Sequence, residues 1–136
     1  MLTVRYIFNE GKATEAAAFL LSLNGNRLPY LKLIKLLYIA DRYSLSEYHA
    51  SITTSSYYSL KYGPVTSEIL DLIKHPEDFS ENGAWNSTIE RQNYDVVLKK
   101  EYVPYYLSKS ERAILAEIDY KYKNNGQFTL SEYSHT

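Results

Sequence analysis

Apolar residues recur at helical spacing near the start of the chain, where Ala13, Ala16, Ala17, Leu20 and Leu23 share one face of residues 12–23. Asn24-Gly25 then supplies a left-handed residue of the kind that ends a helix. The small alanine face lets a neighbouring element approach closely. Over about residues 29–48, with Pro29 in the first turn, a wheel at about 100° per residue gathers Lys32, Lys35, Ile39, Arg42 and Ser46 on one narrow face. Most of the remaining girth is apolar, which predicts the central helix of the molecule. Asp41 falls inside the apolar arc, beside Ile34, Leu37, Leu45 and Tyr48.

Residues 56–62 alternate loosely with high aromatic content and predict a short extended segment broken by Gly63-Pro64. Pro64 is expected to open a helix with Val65, Ile69, Leu72 and Ile73 on one stripe, closing at Lys74 because His75 precedes Pro76. Residues 77–86 read as loop. A hairpin over about 85–99 follows, its strands at 85–91 and 94–99 joined near Gln92-Asn93. Ser108 and Glu111 form a capping box ahead of Ile114, Leu115, Ile118 and Tyr122, with a stop at Asn124-Asn125-Gly126. Thr129 and Glu132 repeat the box, with Phe128 and Tyr133 in the places of a hydrophobic staple, and the helix they start has about one turn before Thr136. The expectation is a mainly α, single-domain chain with a small β-hairpin.

Composition narrows the chemistry. The chain of 136 residues has a net charge of -1 from 15 basic and 16 acidic side chains, spread without the basic run that drives phosphate binding. Direct nucleic-acid binding is therefore not expected. No window nears the roughly 18 apolar residues of a membrane span, and residues 1–10 lack the order of a signal peptide, so a cytoplasmic location is expected. Cysteine is absent, which removes disulfides, thiol catalysis and thiolate metal sites. The 15 tyrosines, against four Phe and one Trp, suit partly wet positions and interfaces.

Candidate chemistry is sparse. Asp41, buried among apolar neighbours, reads either as a structural carboxylate accepting hydrogen bonds from an adjoining turn or a tyrosine hydroxyl, or as a catalytic acid or base without a marked partner. His49, His75 and His135 lie in separate segments and offer no paired ligands on one helix face; His49 and His75 read as helix-end residues. No metal and no cofactor is expected. Ser55, Ser56 and Ser59 lie in no nucleophile elbow, and the glycines suit turns better than a phosphate loop. Lys32, Lys35 and Arg42 form a short basic stripe, either solvated or set against an acidic partner or phosphates. Tyr57, Tyr58, Tyr62 and Trp85 are candidate partner-binding residues, with core packing as the alternative.

The run 32–41 (Lys-Leu-Ile-Lys-Leu-Leu-Tyr-Ile-Ala-Asp), Gly63-Pro64-Val65 and the closing 130–135 (Leu-Ser-Glu-Tyr-Ser-His) together resemble the Panacea domain, the SocA-like antitoxin family first catalogued as phage-associated proteins. The resemblance covers about residues 28–135. It implies an antitoxin of bacteria, prophages or mobile elements that neutralises a neighbouring toxin by direct binding. As an alternative it implies a proteolytic adaptor delivering its cargo to a ClpXP-type protease, or a general regulatory interaction module. The motif positions it marks as scaffold are Leu37, Tyr38, Asp41, Gly63, Pro64, Val65, Ser131 and His135. On this reading Asp41 ties the central helix to the Gly63-Pro64 turn. Relatives continue the last helix through a tryptophan several residues further on, so this chain is expected to stop short of the family's C-terminus.

Overall fold

The computed structural model describes residues 8–53, 57–60 and 63–124, with 57–60 and 63–67 described by their backbone. Helix α1 (Glu10–Ser22) starts where the Asn9 side chain accepts a hydrogen bond from the Lys12 N–H at 3.0 Å. Ala13, Ala16, Ala17 and Leu20 are fully buried, as their spacing predicts. Leu23 lies past the last turn and is well exposed. Gly25 is left-handed, as expected, and Asn26 follows it in the same region, so the pair turns the chain back.

That reversal produces an element hidden from helical periodicity. Arg27–Pro29 is a strand, β1, and Pro29 is the N-cap of the next helix rather than part of its first turn. Helix α2 (Tyr30–Tyr48) buries Leu33, Ile34, Leu36, Leu37, Ala40 and Asp41 completely and contacts α1, β1 and three elements that follow it in the chain. It is central, as predicted. Its last turns are less enclosed than the wheel suggests, since Tyr43, Leu45 and Tyr48 are exposed. His49 ends it in the left-handed region, its N–H donating to the Leu45 carbonyl.

Strands β2 (Tyr57–Leu60) and β3 (Gly63–Thr66) pair antiparallel, with Pro64 opposite Ser59. The helix expected from Pro64 begins instead at Ser67: α3 runs Ser67–Lys74, after Gly63-Pro64-Val65 has been spent on a strand beside α2. It stops at Lys74, as predicted from the restriction that Pro76 places on His75. A 3-10 turn (Pro76–Asp78) and a short helix α4 (Ala84–Thr88) occupy half of the stretch read as loop and the start of the expected first strand, while residues 79–83 are irregular as expected. The hairpin itself is β4 (Ile89–Gln92) and β5 (Asp95–Leu98), turned through Asn93 at φ 60°.

Strand β1 pairs with β5, giving a three-stranded antiparallel sheet in the order β1-β5-β4. Arg27 fastens its edge by donating to Asp95 at 2.9 Å and Gln92 at 2.5 Å. Helix α5 (Lys109–Lys121) opens on the predicted capping box, with Glu111 N donating to Ser108 Oγ at 3.1 Å and Ser108 N donating to Glu111 Oε1 at 2.9 Å. Ile114, Leu115 and Ile118 are buried against the core. The protein is mostly helical with a small antiparallel sheet. The helix expected from Thr129 lies outside the described residues.

Candidate functional site

The basic stripe does not face solvent. Lys32 is 9% and Lys35 3% exposed, and only Arg42 stands in the open, its guanidinium donating to the Tyr38 hydroxyl at 3.0 Å. Lys32 reaches along its own stem to donate to the Lys123 carbonyl at 3.0 Å, at the end of α5. Burial lowers its pKa, the Asp119 carboxylate opposes that shift, and the Lys123 charge adds to it. Asp119 is itself buried and accepts from Asn24 at 2.7 Å and Lys123 at 2.6 Å. A wheel shows which face is polar, but not that α5 covers it.

Trp85 is also a core residue, 2% exposed at the start of α4. Tyr57 and Tyr58 lie in β2 by their backbone, and Tyr62, Ser131 and His135 fall outside the described residues. Among the described residues no group of His, Asp or Glu is arranged to hold a metal, and no helix is long and apolar enough to cross a membrane.

Asp41 is fully buried and ties α2 to the chain just beyond it. Its Oδ1 accepts from Ile52 N at 2.8 Å and Thr53 N at 2.9 Å, and its Oδ2 from the Thr53 hydroxyl. The described partners thus belong to the segment after the helix, while Gly63-Pro64 sits in β3 with its backbone near α2. Burial pushes the Asp41 carboxyl up to about 6, against the opposing pull of the Thr53 and Ile52 hydrogen bonds and the Lys12 charge.

A second carboxylate builds the surface that best suits a partner. Glu15 projects from α1, is 7% exposed, and accepts from Tyr105 N at 2.8 Å, Tyr106 N at 2.5 Å and Leu107 N at 3.1 Å. The Tyr102 hydroxyl donates to the same group at 3.3 Å. Consecutive N–H groups wrapped on one carboxylate fix the irregular segment 102–107 against α1 just before the Ser108 cap. The segment therefore holds its aromatic rings in place although they face water: Tyr105 is 83% and Val103 69% exposed, and the Tyr105 and Tyr106 rings meet edge to face at 4.8 Å. Presenting apolar rings on a fixed backbone lowers the ordering cost of binding.

Between this segment, α1 and α4 runs an open groove of about 440 Å³, with Ala18 and Thr14 on its α1 wall and Ala84 on its α4 wall. Gly11 shapes it. A Cβ there would lie 2.7 Å from Tyr106 Cε2, so the missing side chain is what lets the ring rest on α1. Gly11→Ala is expected to change stability by less than about 1 kcal/mol, since the helix-propensity gain offsets the lost contact. The half-exposed Tyr106 ring is expected to swing outward, which its aromatic proton shifts will report; unchanged shifts would contradict this packing. Glu15 was missed in the sequence because a lone helical glutamate normally reads as solvated. The available signal was its place as the only charge in the run 13–21.

No curated protein and no solved structure gives a significant match to the chain. The family model described as antitoxin SocA-like, Panacea domain, matches residues 33–136, from the first buried turn of α2 onward. Apart from Lys32, that span takes in the motif segments that carry the resemblance, and the chain belongs to the SocA-like, Panacea-domain antitoxin family.

Proposed function

We propose that this protein is a cytoplasmic antitoxin that neutralises a cognate toxin by direct protein–protein binding, without chemistry of its own. The family match over residues 33–136 carries the reading. The segment 102–107 supports it physically, because a fixed, exposed pair of tyrosines beside an apolar groove is the kind of surface on which interface anchors settle. A net charge of -1 gives little pull on phosphate, which favours a protein over a nucleic acid as partner. Covering a toxin needs shape and a few buried anchors over about 1,600 Å² of interface.

Co-expression with the adjacent gene tests the proposal. That gene alone is expected to stop growth, and growth is expected to return when this protein is made. A harmless neighbour, or one still toxic beside folded protein, sinks the reading for this pair. Repeating the rescue in cells lacking a ClpXP-type protease separates sequestration, which persists, from adaptor-driven degradation, which is lost.

A further inference from the structure

The sequence holds three Asn-Gly pairs, at 24, 82 and 125, and in such a pair no side chain hinders the glycine nitrogen from attacking the amide before it. Asn125-Gly126 lies outside the described residues. At Asn24-Gly25 the nucleophile is open. Gly25 is exposed at φ 67°, nothing lies within 4 Å of where a Cβ would stand, and its N–H has no hydrogen-bond partner among the described residues.

The electrophile, in contrast, is held at both ends. Asn24 Nδ2 donates to the Leu20 carbonyl at 2.8 Å and to Asp119 Oδ1 at 2.7 Å, while Asn24 Oδ1 accepts from Lys123 Nζ at 3.1 Å. Asp119 is 3% exposed and is itself braced by Lys123 at 2.6 Å. Reaction requires the Gly25 nitrogen, its proton lost to solvent hydroxide, to come within about 3–3.5 Å of Asn24 Cγ. The new N–Cγ bond closes a five-membered ring, the Cγ–Nδ2 bond breaks, and Nδ2 leaves as ammonia with a proton returned by water. A second water then opens the ring at either carbonyl, giving aspartate or isoaspartate. Turning the amide toward Gly25 surrenders its hydrogen bonds to Leu20 and Asp119.

We infer that Asn24-Gly25 is a deamidation site guarded by Asp119 and Lys123, which reacts when the end of α5 separates from the turn after α1. The product marks the event permanently. A carboxylate in place of the amide loses both donations and meets the Asp119 carboxylate. An isoaspartate also adds a main-chain carbon in the turn that feeds β1, where Asn26 N donates to the Leu21 carbonyl at 2.8 Å and Leu98 N to the Asn26 carbonyl at 2.9 Å. The modified chain is therefore expected not to re-form the clamp.

Asn82-Gly83 is the internal reference, since Asn82 is exposed and its side chain has no hydrogen-bond partner among the described residues. The full chain is incubated at mildly alkaline pH, and both sites are followed by peptide mapping with mass spectrometry. Folding is expected to slow Asn24 about tenfold or more against the chain in denaturant, the worth of one hydrogen bond to a charged acceptor, and to slow Asn82 much less. Asp119→Ala is expected to restore most of the lost rate at Asn24 and to leave Asn82 unchanged. Lys123→Met frees Asn24 Oδ1 without emptying a buried position and is expected to give a smaller rise at Asn24. Ile118→Val loosens the packing of α5 with the clamp intact and is expected to leave the ratio of the two rates unchanged. If Asp119→Ala unfolds, both sites accelerate together, and Lys123→Met with the comparison in denaturant decides. Equal slowing of the two sites on folding, an Asn24 rate unmoved by Lys123→Met and by folded Asp119→Ala, or a ratio shifted as far by Ile118→Val as by the clamp variants overturns the assignment.

Discussion

Asp41→Ala is expected to cost about 3 kcal/mol or more of folding stability, while Asp41→Asn is expected to cost far less near neutral pH. Alanine leaves two backbone N–H groups and the Thr53 hydroxyl unpaired in the core, each worth about 1–3 kcal/mol, and opens a cavity beside Leu37. Asparagine keeps an acceptor for Ile52 N and Thr53 N, and its amide donates to a Thr53 hydroxyl turned to accept. It also removes a buried charge.

The pH dependence separates the two effects. Burial lifts the Asp41 carboxyl from 3.8 to about 6, so between these values the folded state holds a proton that the unfolded chain releases. Its contribution is fully present below about pH 4 and is lost as pH rises through 6, a swing on the order of 3 kcal/mol. Denaturation curves at pH 4 and pH 7 should show the wild type gaining on Asp41→Asn by that order at the lower pH. A constant difference would show that Asp41 does not titrate in this window.

Glu15→Ala is expected to cost about 2–4 kcal/mol, since hydrogen bonds to a charged acceptor contribute about 1.5–3 kcal/mol each and are not additive here. The more specific outcome is local. The amides of Tyr105, Tyr106 and Leu107 lose their shared acceptor, so their hydrogen exchange is expected to accelerate well beyond that of the α2 core. Glu15→Gln retains an oxygen for Tyr105 N and Leu107 N but turns an NH₂ toward Tyr106 N, and is expected to fall between. Unchanged exchange at these three positions in Glu15→Ala would show that the carboxylate does not hold the segment.

These two carboxylates also mark what the sequence could and could not reveal. Asp41 was visible because it interrupts an apolar arc that nineteen residues of helix make unambiguous. Capping chemistry was equally legible at Ser108 and Glu111, where both partners lie three residues apart. What escaped depends on residues far apart in the chain. Strand β1 exists because β5, some 70 residues later, supplies its hydrogen bonds, and helical periodicity simply runs through Leu28. Lys32 and Lys35 show a polar face that α5 and its neighbours later cover, and Trp85 has the composition of an interface anchor but the surroundings of a core. The Gly63-Pro64-Val65 motif has the sequence of a helix start, since proline suits a first helical turn and gives no sign of the pairing with Ser59 and Tyr58. Glu15 carried the faintest signal, because its partners lie about 90 residues away.

The most direct test of the account is a binding titration of the purified protein with the purified product of its neighbouring gene, without protease, read together with the toxin's activity. A stoichiometric complex with submicromolar affinity is expected, in the range typical of specific protein pairs, with toxin activity that falls in proportion to complex formed. Rescue of growth in cells without any complex in the purified system, or a complex that leaves the toxin fully active, would contradict neutralisation by binding.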